Sequence, residues 1–269
     1  MDLTRRQLLQ RASIVGALTA LSSNPVLAQL ARAPRLIPWR NWSGAQSCLP
    51  EARLAPKDLD ELVQVIGRAP GKIRPVGSAH SFSALVPTDG TLLSLSNFSG
   101  LLSHDAVTLQ AEFGAGTPMS RMGLALKEVG QGLSNMADID YQTLAGAIST
   151  STHGTGKNFQ SYSAYVSGLQ LVTASGQVLD CDSQRHPEVF NAARVSLGAL
   201  GIVTKVRMQN RPAYRLREHQ WIAKTEELLE DVEKNTRENQ HWEMLVVTHS
   251  DYALSMALNE TTDPATPPV

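Results

Sequence analysis

The sequence predicts an α+β protein, and three patterns predict it. Leu59, Leu62, Val63 and Ile66 recur at i, i+3, i+4 and i+7, the spacing of a helix with one buried face. Val107, Leu109, Ala111 and Phe113 alternate with Thr108, Gln110 and Glu112, the period of a half-buried strand. Two apolar runs, 169–173 and 177–181, flank Ala174-Ser175-Gly176 and read as a hairpin.

Taken in order, the folded part begins at Trp39, Trp42 and Cys48. A helix is expected over 57–68, closed by Pro70-Gly71. A short strand over 72–76 runs into the tight loop Gly77-Ser78-Ala79, and a second strand covers 92–95. The alternating strand 107–113 follows. Met122, Ala125, Leu126 and Val129 then share one face of a helix that Gly130 and Gly132 stop. The small residues of 144–149 allow close approach of a backbone or a ligand. A helix over 187–197 precedes a strand over 202–208. Residues 225–237 make a charged helix with Leu228, Leu229 and Val232 as its buried stripe. Strands over 244–248 and 252–258 precede a proline-rich tail, 263–269, and no internal repeat is present.

The chain has 269 residues, 42% apolar and 18% charged, which is enough apolar material for a real core. A net charge of −1 argues against a nucleic-acid surface or a polybasic membrane patch. Two cysteines, Cys48 and Cys181, are too few for a disulfide framework and lack metal-ligand spacing, so buried thiols are the preferred reading over a pair.

The N-terminus reads as an export signal over 1–28, followed by a linker over 29–41. Arg5-Arg6 precede an apolar run, 12–21, which closes on the small-residue site Val26-Leu27-Ala28. Paired arginines point to the twin-arginine route and so to a periplasmic or secreted protein. The apolar run is too short, and too rich in Ala, Ser and Gly, for a stable membrane span.

Two segments carry chemistry. The first is Arg74-Pro75-Val76-Gly77-Ser78-Ala79-His80-Ser81-Phe82. A strand entering a small-residue loop aims successive N–H groups at a phosphate, and glycine and serine let the anion come close. His80 stands just beyond as a nucleophile. Taken alone, such a loop is more often a surface turn with an ordinary histidine. The second segment runs from Asn135 to Gly156 and is dense in Thr, Ser and Gly. Its hydroxyls suit an extended polar ligand, and the apolar Leu144, Ala147 and Ile148 argue that it is packed rather than loose. Gly114-Ala115-Gly116 does not make a nicotinamide-binding fingerprint, because no third glycine follows in register. His80, His104 and His153 lack the spacing of a zinc site.

These two segments, with 188–194 and 197–203, resemble the aldonolactone oxidoreductases in order and near the same spacing. That family holds gulonolactone, galactonolactone and arabinonolactone oxidases and dehydrogenases, with the alditol oxidases close by. The resemblance runs from about Trp42 to about Leu258. It implies a two-subdomain FAD-binding domain of the vanillyl-alcohol-oxidase type over 42–210, divided near Gly100, and then the start of an incomplete α+β substrate domain over 211–269. It implies that Val76, Gly77, Ser78, Ala79, His80, Ser81 and Phe82 wrap the FAD pyrophosphate. His80 matches the histidine that many members join covalently to the flavin. Thr143, Gly146, Thr150, Ser151, Thr152 and His153 match further FAD contacts, and Ile202 matches a backbone contact. Ala137 matches a residue by the flavin edge, where glycine in some relatives accompanies oxidase activity and alanine a dehydrogenase; other relatives are oxidases despite alanine.

Two positions depart from the family pattern. Ala79 and Ser151 stand where it usually has glycine. The family's later segments, with substrate-binding Glu, Arg and Lys residues, are missing, and His241-Trp242-Glu243 is not its C-terminal motif. The implied activity is oxidation of a CH–OH group of a sugar-1,4-lactone or polyol, with electrons passed to oxygen or another acceptor. The alternative is a flavin-binding fragment without turnover by itself, or one part of a split enzyme whose second subunit supplies the missing substrate domain.

Overall fold

The computed structural model describes residues 36–266. Contacts divide the chain into Met1–Ile37 and Pro38–Val269. Of the first unit only Leu36 and Ile37 are described, so the expected signal and most of the linker lie outside the described residues. Among the described residues, no helix is long and apolar enough to cross a membrane.

The second unit opens with β1 (Trp39–Arg40), paired antiparallel with β2 (Ser47–Cys48). Trp39 and Asn41 are buried, so folded structure begins inside the stretch read as linker. Next come β3 (Ala52–Leu54) and α1 (Leu59–Arg68). The Asp58 carboxylate accepts from the Glu61 N–H at 2.9 Å, which satisfies one of the free amides of the first helical turn. Leu62 and Ile66 are the buried face of the helix. With β4 (Ile73–Val76) and β5 (Thr91–Ser94), β3 forms a parallel sheet of order β3-β5-β4.

A larger antiparallel sheet follows. It gathers β6 (Leu101–Asp105) and β7 (Gln110–Gly114), then, beyond α2 (Met119–Glu128), β8 (Gln131–Gly132), α3 (Leu144–Ser149) and a 3-10 turn (Tyr162–Tyr165), the hairpin β9 (Val166–Val172) and β10 (Val178–Asp182). After α4 (Pro187–Ala193), β11 (Ile202–Gln209) completes the order β10-β9-β11-β7-β6. Phe113, Met119, Met122, Leu126, Leu144, Ile148, Tyr162, Leu171 and Met208 are fully buried in one cluster against this sheet. Burial of each such side chain contributes about 1.5–3 kcal/mol. Finally, β12 (Arg211–Pro212) pairs with β8, and a second antiparallel sheet of order β13-β15-β14 is built from β13 (Leu216–Lys224), β14 (His241–Val246) and β15 (Tyr252–Glu260). The short helices α5 (Thr225–Glu230) and α6 (Val232–Glu238) join β13 to β14.

Local polar chemistry overrides pattern in several places. The strand expected over 107–113 begins only at Gln110. The Asp105 carboxylate accepts from the N–H groups of Val107 (2.8 Å) and Thr108 (3.0 Å), turning the chain there. Val107 is 92% exposed and Leu109 has φ +56°. Residues 101–105 form the partner strand that polar Ser103 and His104 hide in the sequence. The helix expected to reach 197 stops at Ala193, and the chain beyond it turns through left-handed Leu197 and Gly198. The charged helix over 225–237 is two helices divided at Asp231, and only Leu228 of its expected stripe is buried. Cys181 is buried and Cys48 half-buried, and both are free thiols.

Candidate functional site

The cavity of interest opens where β4 ends. Parallel strands leave ligand space beyond their carboxyl ends, because the chain there turns away and exposes backbone donors. Its volume is about 350 Å³. One wall is Val76, Gly77, Ser78, Ala79, His80 and Ser81; a second is Gln142, Thr143, Gly146 and Thr150; a third is Leu197, Gly198, Gly201 and Val203. Gly77 permits the first two walls to meet: a Cβ there would stand 2.2 Å from Thr143 Oγ1.

The loop 79–82 is held from outside the cavity by the turn 41–46. The Trp42 N–H donates to the Ala79 carbonyl at 3.2 Å and its indole Nε1 to the His80 carbonyl at 2.9 Å. Asn41 Nδ2 donates to the Ser81 carbonyl at 3.0 Å, and Gln46 Nε2 to the Phe82 carbonyl at 3.2 Å. The N–H groups of Ser78, Ala79, His80, Ser81 and Phe82 donate to no other described residue. The His80 ring stacks on the Trp42 indole, with centroids 4.5 Å apart and planes 7° from parallel, and faces the Tyr141 ring at 6.2 Å.

The second wall carries an unsatisfied group. Gln142 Nε2 donates to Thr152 Oγ1 at 3.1 Å, while its Oε1 is buried without a partner among the described residues. Buried polar atoms are nearly always paired, so this oxygen marks a missing donor. Thr150 Oγ1 donates to the Gly146 carbonyl and lies 3.3 Å from Thr152 Oγ1.

Of the residues expected at the site, Val76 to Ser81, Thr143, Gly146 and Thr150 line this cavity. Phe82 does not; the residue is 65% exposed and its ring meets the Trp42 ring edge-on. Ser151, Thr152 and His153 do not line it; Thr152 orients Gln142, and His153 Nδ1 stays 2.9 Å from the Gly154 carbonyl. Ile202, the first residue of β11, is buried and does not line the cavity, although its neighbours Gly201 and Val203 do. Ala137 also stands apart, with its N–H donating to the Tyr162 hydroxyl at 2.6 Å. Burial pushes the Tyr162 phenol up to about 12, so it is protonated at neutral pH and is free to donate toward Met136 Sδ at 3.5 Å. Ala79 and Ser151 both have positive φ, +59° and +53°, the region that favours the glycine they replace.

Sequence reasoning did not single out Gln142, although it lies in the segment 135–156 read as ligand-binding, nor the turn 41–46; the Gly198–Gly201 wall falls in the stretch 197–203 that carried part of the resemblance. His241, set aside as a motif, is a buried strut: its Nδ1 lies 3.0 Å from the Thr155 carbonyl and its ring stacks on Phe159 at 4.5 Å. Beside it on β14, burial and the neighbouring Asp138 push the Glu243 carboxyl up.

The residues present fit a dinucleotide flavin. A row of free amides suits its phosphates, Gly77 leaves the close approach clear, and the orphaned Gln142 oxygen matches a ring N–H. Comparison with known proteins agrees. Residues 50–182 match a family model described as an FAD binding domain, and residues 206–269 match the D-arabinono-1,4-lactone oxidase model. An L-gulono-1,4-lactone dehydrogenase of Mycobacterium tuberculosis is 35% identical over 232 residues, covering 85% of this chain and 54% of that protein. A D-arabinono-1,4-lactone oxidase of Kluyveromyces lactis is 33% identical over 202 residues, 72% of this chain and 38% of that one. The chain thus spans about half the length, or less, of these curated relatives. A cholesterol oxidase from Brevibacterium sterolicum shares the fold, with a TM-score of 0.72 at 17% identity over 86% of this chain and 50% of that one. Fold, motifs and relatives converge: the chain belongs to the aldonolactone oxidoreductase family and carries its FAD-binding domain.

Proposed function

We propose that the protein oxidises a CH–OH group of a sugar-1,4-lactone or polyol and passes the electrons to oxygen or another acceptor. One observation supports this above the rest: free amides, Gly77 and the unpaired Gln142 oxygen converge on one cavity with His80 at its loop. When bound there, FAD supplies the two-electron acceptor for the CH–OH carbon. Val76 to Ser81 would hold the phosphates, and Thr143, Gly146 and Thr150 would pack along the cofactor. His80 would be the residue that tethers the cofactor, its imidazole the nucleophile toward the flavin 8-methyl carbon.

A second reading rests on the extent of the match. The FAD binding domain model matches 50–182, while the stretch matched as D-arabinono-1,4-lactone oxidase, 206–269, lines none of the cavity, which suits a flavin-binding piece without turnover by itself. Purified protein reconstituted with FAD separates the readings. Flavin absorbance that bleaches anaerobically with a sugar lactone or polyol supports the enzyme, and bound flavin that no such donor bleaches supports the piece. Folded protein that takes up no flavin refutes both. Acid precipitation checks the His80 bond, because flavin released wholly into the supernatant refutes it.

We also propose twin-arginine export to the periplasm, supported by Arg5-Arg6 and the small-residue site at Ala28. Replacing both arginines by lysine should keep the precursor in the cytoplasm, and normal export of that variant refutes the route.

A further inference from the structure

We propose that the turn 41–46, centred on Trp42, is the positioning element of the flavin site, aiming the amides of 80–83 into the cavity and setting the plane of the His80 ring. The inference rests on the FAD reading and goes beyond it. It concerns residues that do not themselves touch the cavity and that precede the stretch matched as an FAD binding domain, 50–182.

The argument is one of peptide geometry. In a trans peptide the carbonyl of one residue and the N–H of the next point in opposite directions. The carbonyls of Ala79, His80, Ser81 and Phe82 are all drawn toward Trp42, Asn41 and Gln46. The N–H groups of residues 80, 81, 82 and 83 therefore face the other way, and His80, Ser81 and Ser83 line the cavity. Four consecutive carbonyls taken by one short turn is a clamp that imposes a single peptide orientation on the loop. The indole acts on His80 twice: its Nε1 holds the His80 carbonyl while its face lies 4.5 Å from, and 7° off, the His80 imidazole. One side chain thereby fixes both backbone and ring of the same residue. A loop with alanine rather than glycine at position 79, at φ +59°, needs such an external restraint to keep its left-handed turn. Trp42 is 54% exposed, so removing it takes little from the core.

The test uses the whole chain. FAD affinity is measured by fluorescence titration and the fixed ring environment by visible circular dichroism of bound flavin, for wild type, Trp42→Ala, Trp42→Phe and Gln46→Ala. Trp42→Ala should weaken FAD binding by about tenfold or more and flatten the flavin dichroism, with a thermal midpoint close to wild type. Trp42→Phe keeps a ring over His80 but lacks the indole N–H, and should fall between. Gln46→Ala should weaken binding and leave the dichroism sign unchanged. Wild-type affinity and dichroism in Trp42→Ala and Gln46→Ala overturn the proposal, as does an affinity loss that follows the melting temperature in every variant. Failure of wild type itself to bind FAD is a different result, which overturns the underlying functional reading.

Discussion

Replacing Ala79 by glycine should stabilise the protein. Ala79 is held at φ +59°, where its Cβ crowds the carbonyl oxygen. A non-glycine residue pays roughly 1–2 kcal/mol in this region. Glycine removes that cost but gives the unfolded chain more freedom, worth about 0.5–1 kcal/mol. The balance is a gain of about 0.5–1 kcal/mol. For a domain of this size each kcal/mol moves the midpoint by about 2–4 °C, so a rise of about 1–4 °C is expected. Ser151, at φ +53°, is governed by the same terms, and Ser151→Gly should add a similar rise. Differential scanning calorimetry of the two single variants and the double variant, all free of flavin, measures this. A midpoint that falls in both single variants refutes the reasoning, because it means the left-handed turns carry no steric cost. FAD affinity should hold in both, since neither change removes a donor.

Three further outcomes follow from the geometry. Gly77→Ala should weaken FAD binding at least about tenfold, because the new Cβ would stand 2.2 Å from Thr143 Oγ1; Thr143→Ala in the same chain should recover part of it, and equal affinity of Gly77→Ala and wild type by titration contradicts the close approach. The N–H groups of Arg185 and Gln184 and then the Arg185 guanidinium hold the Asp182 carboxyl far below the usual range, so its stabilisation is present above the unfolded value near 3.9 and drains away as pH falls through the folded value. The urea midpoint of Asp182→Asn should lie below wild type at pH about 7, with the gap narrowing below pH about 4; a gap independent of pH counts against this. Burial pushes the Cys181 thiol up and closes it to reagents, so a thiol titration of native protein should count at most Cys48 and should reach both only in denaturant; two fast thiols in the native state contradict that burial.

Much of this molecule was legible along the chain. The amphipathic spacing of Leu59 to Ile66 carries its own helix, since a 3.6-residue period needs only one apolar surface to settle on, and Asp58 and Pro70 bound it. The 166–182 hairpin was equally local, because a short Ser-Gly turn and two apolar runs specify their own pairing. The phosphate-cradling loop could be read from small residues next to a strand, and Ala79 and Ser151 stood out only as departures from the glycines of the family pattern. Tertiary structure decided the rest. Whether alternation at Val107 continues as strand depended on Asp105 capturing two amides, a contest between side chain and ladder that a period cannot report. Phe82 and Val76 sit in the same motif, yet one is at the surface and the other on the cavity wall. Their separation comes from the loop's path under the turn 41–46, some 40 residues upstream. The orphaned oxygen of Gln142 and the stacking of Trp42 on His80 likewise exist only once distant segments meet, because unsatisfied hydrogen bonds and ring planes are properties of neighbours in space rather than of residue types in a row.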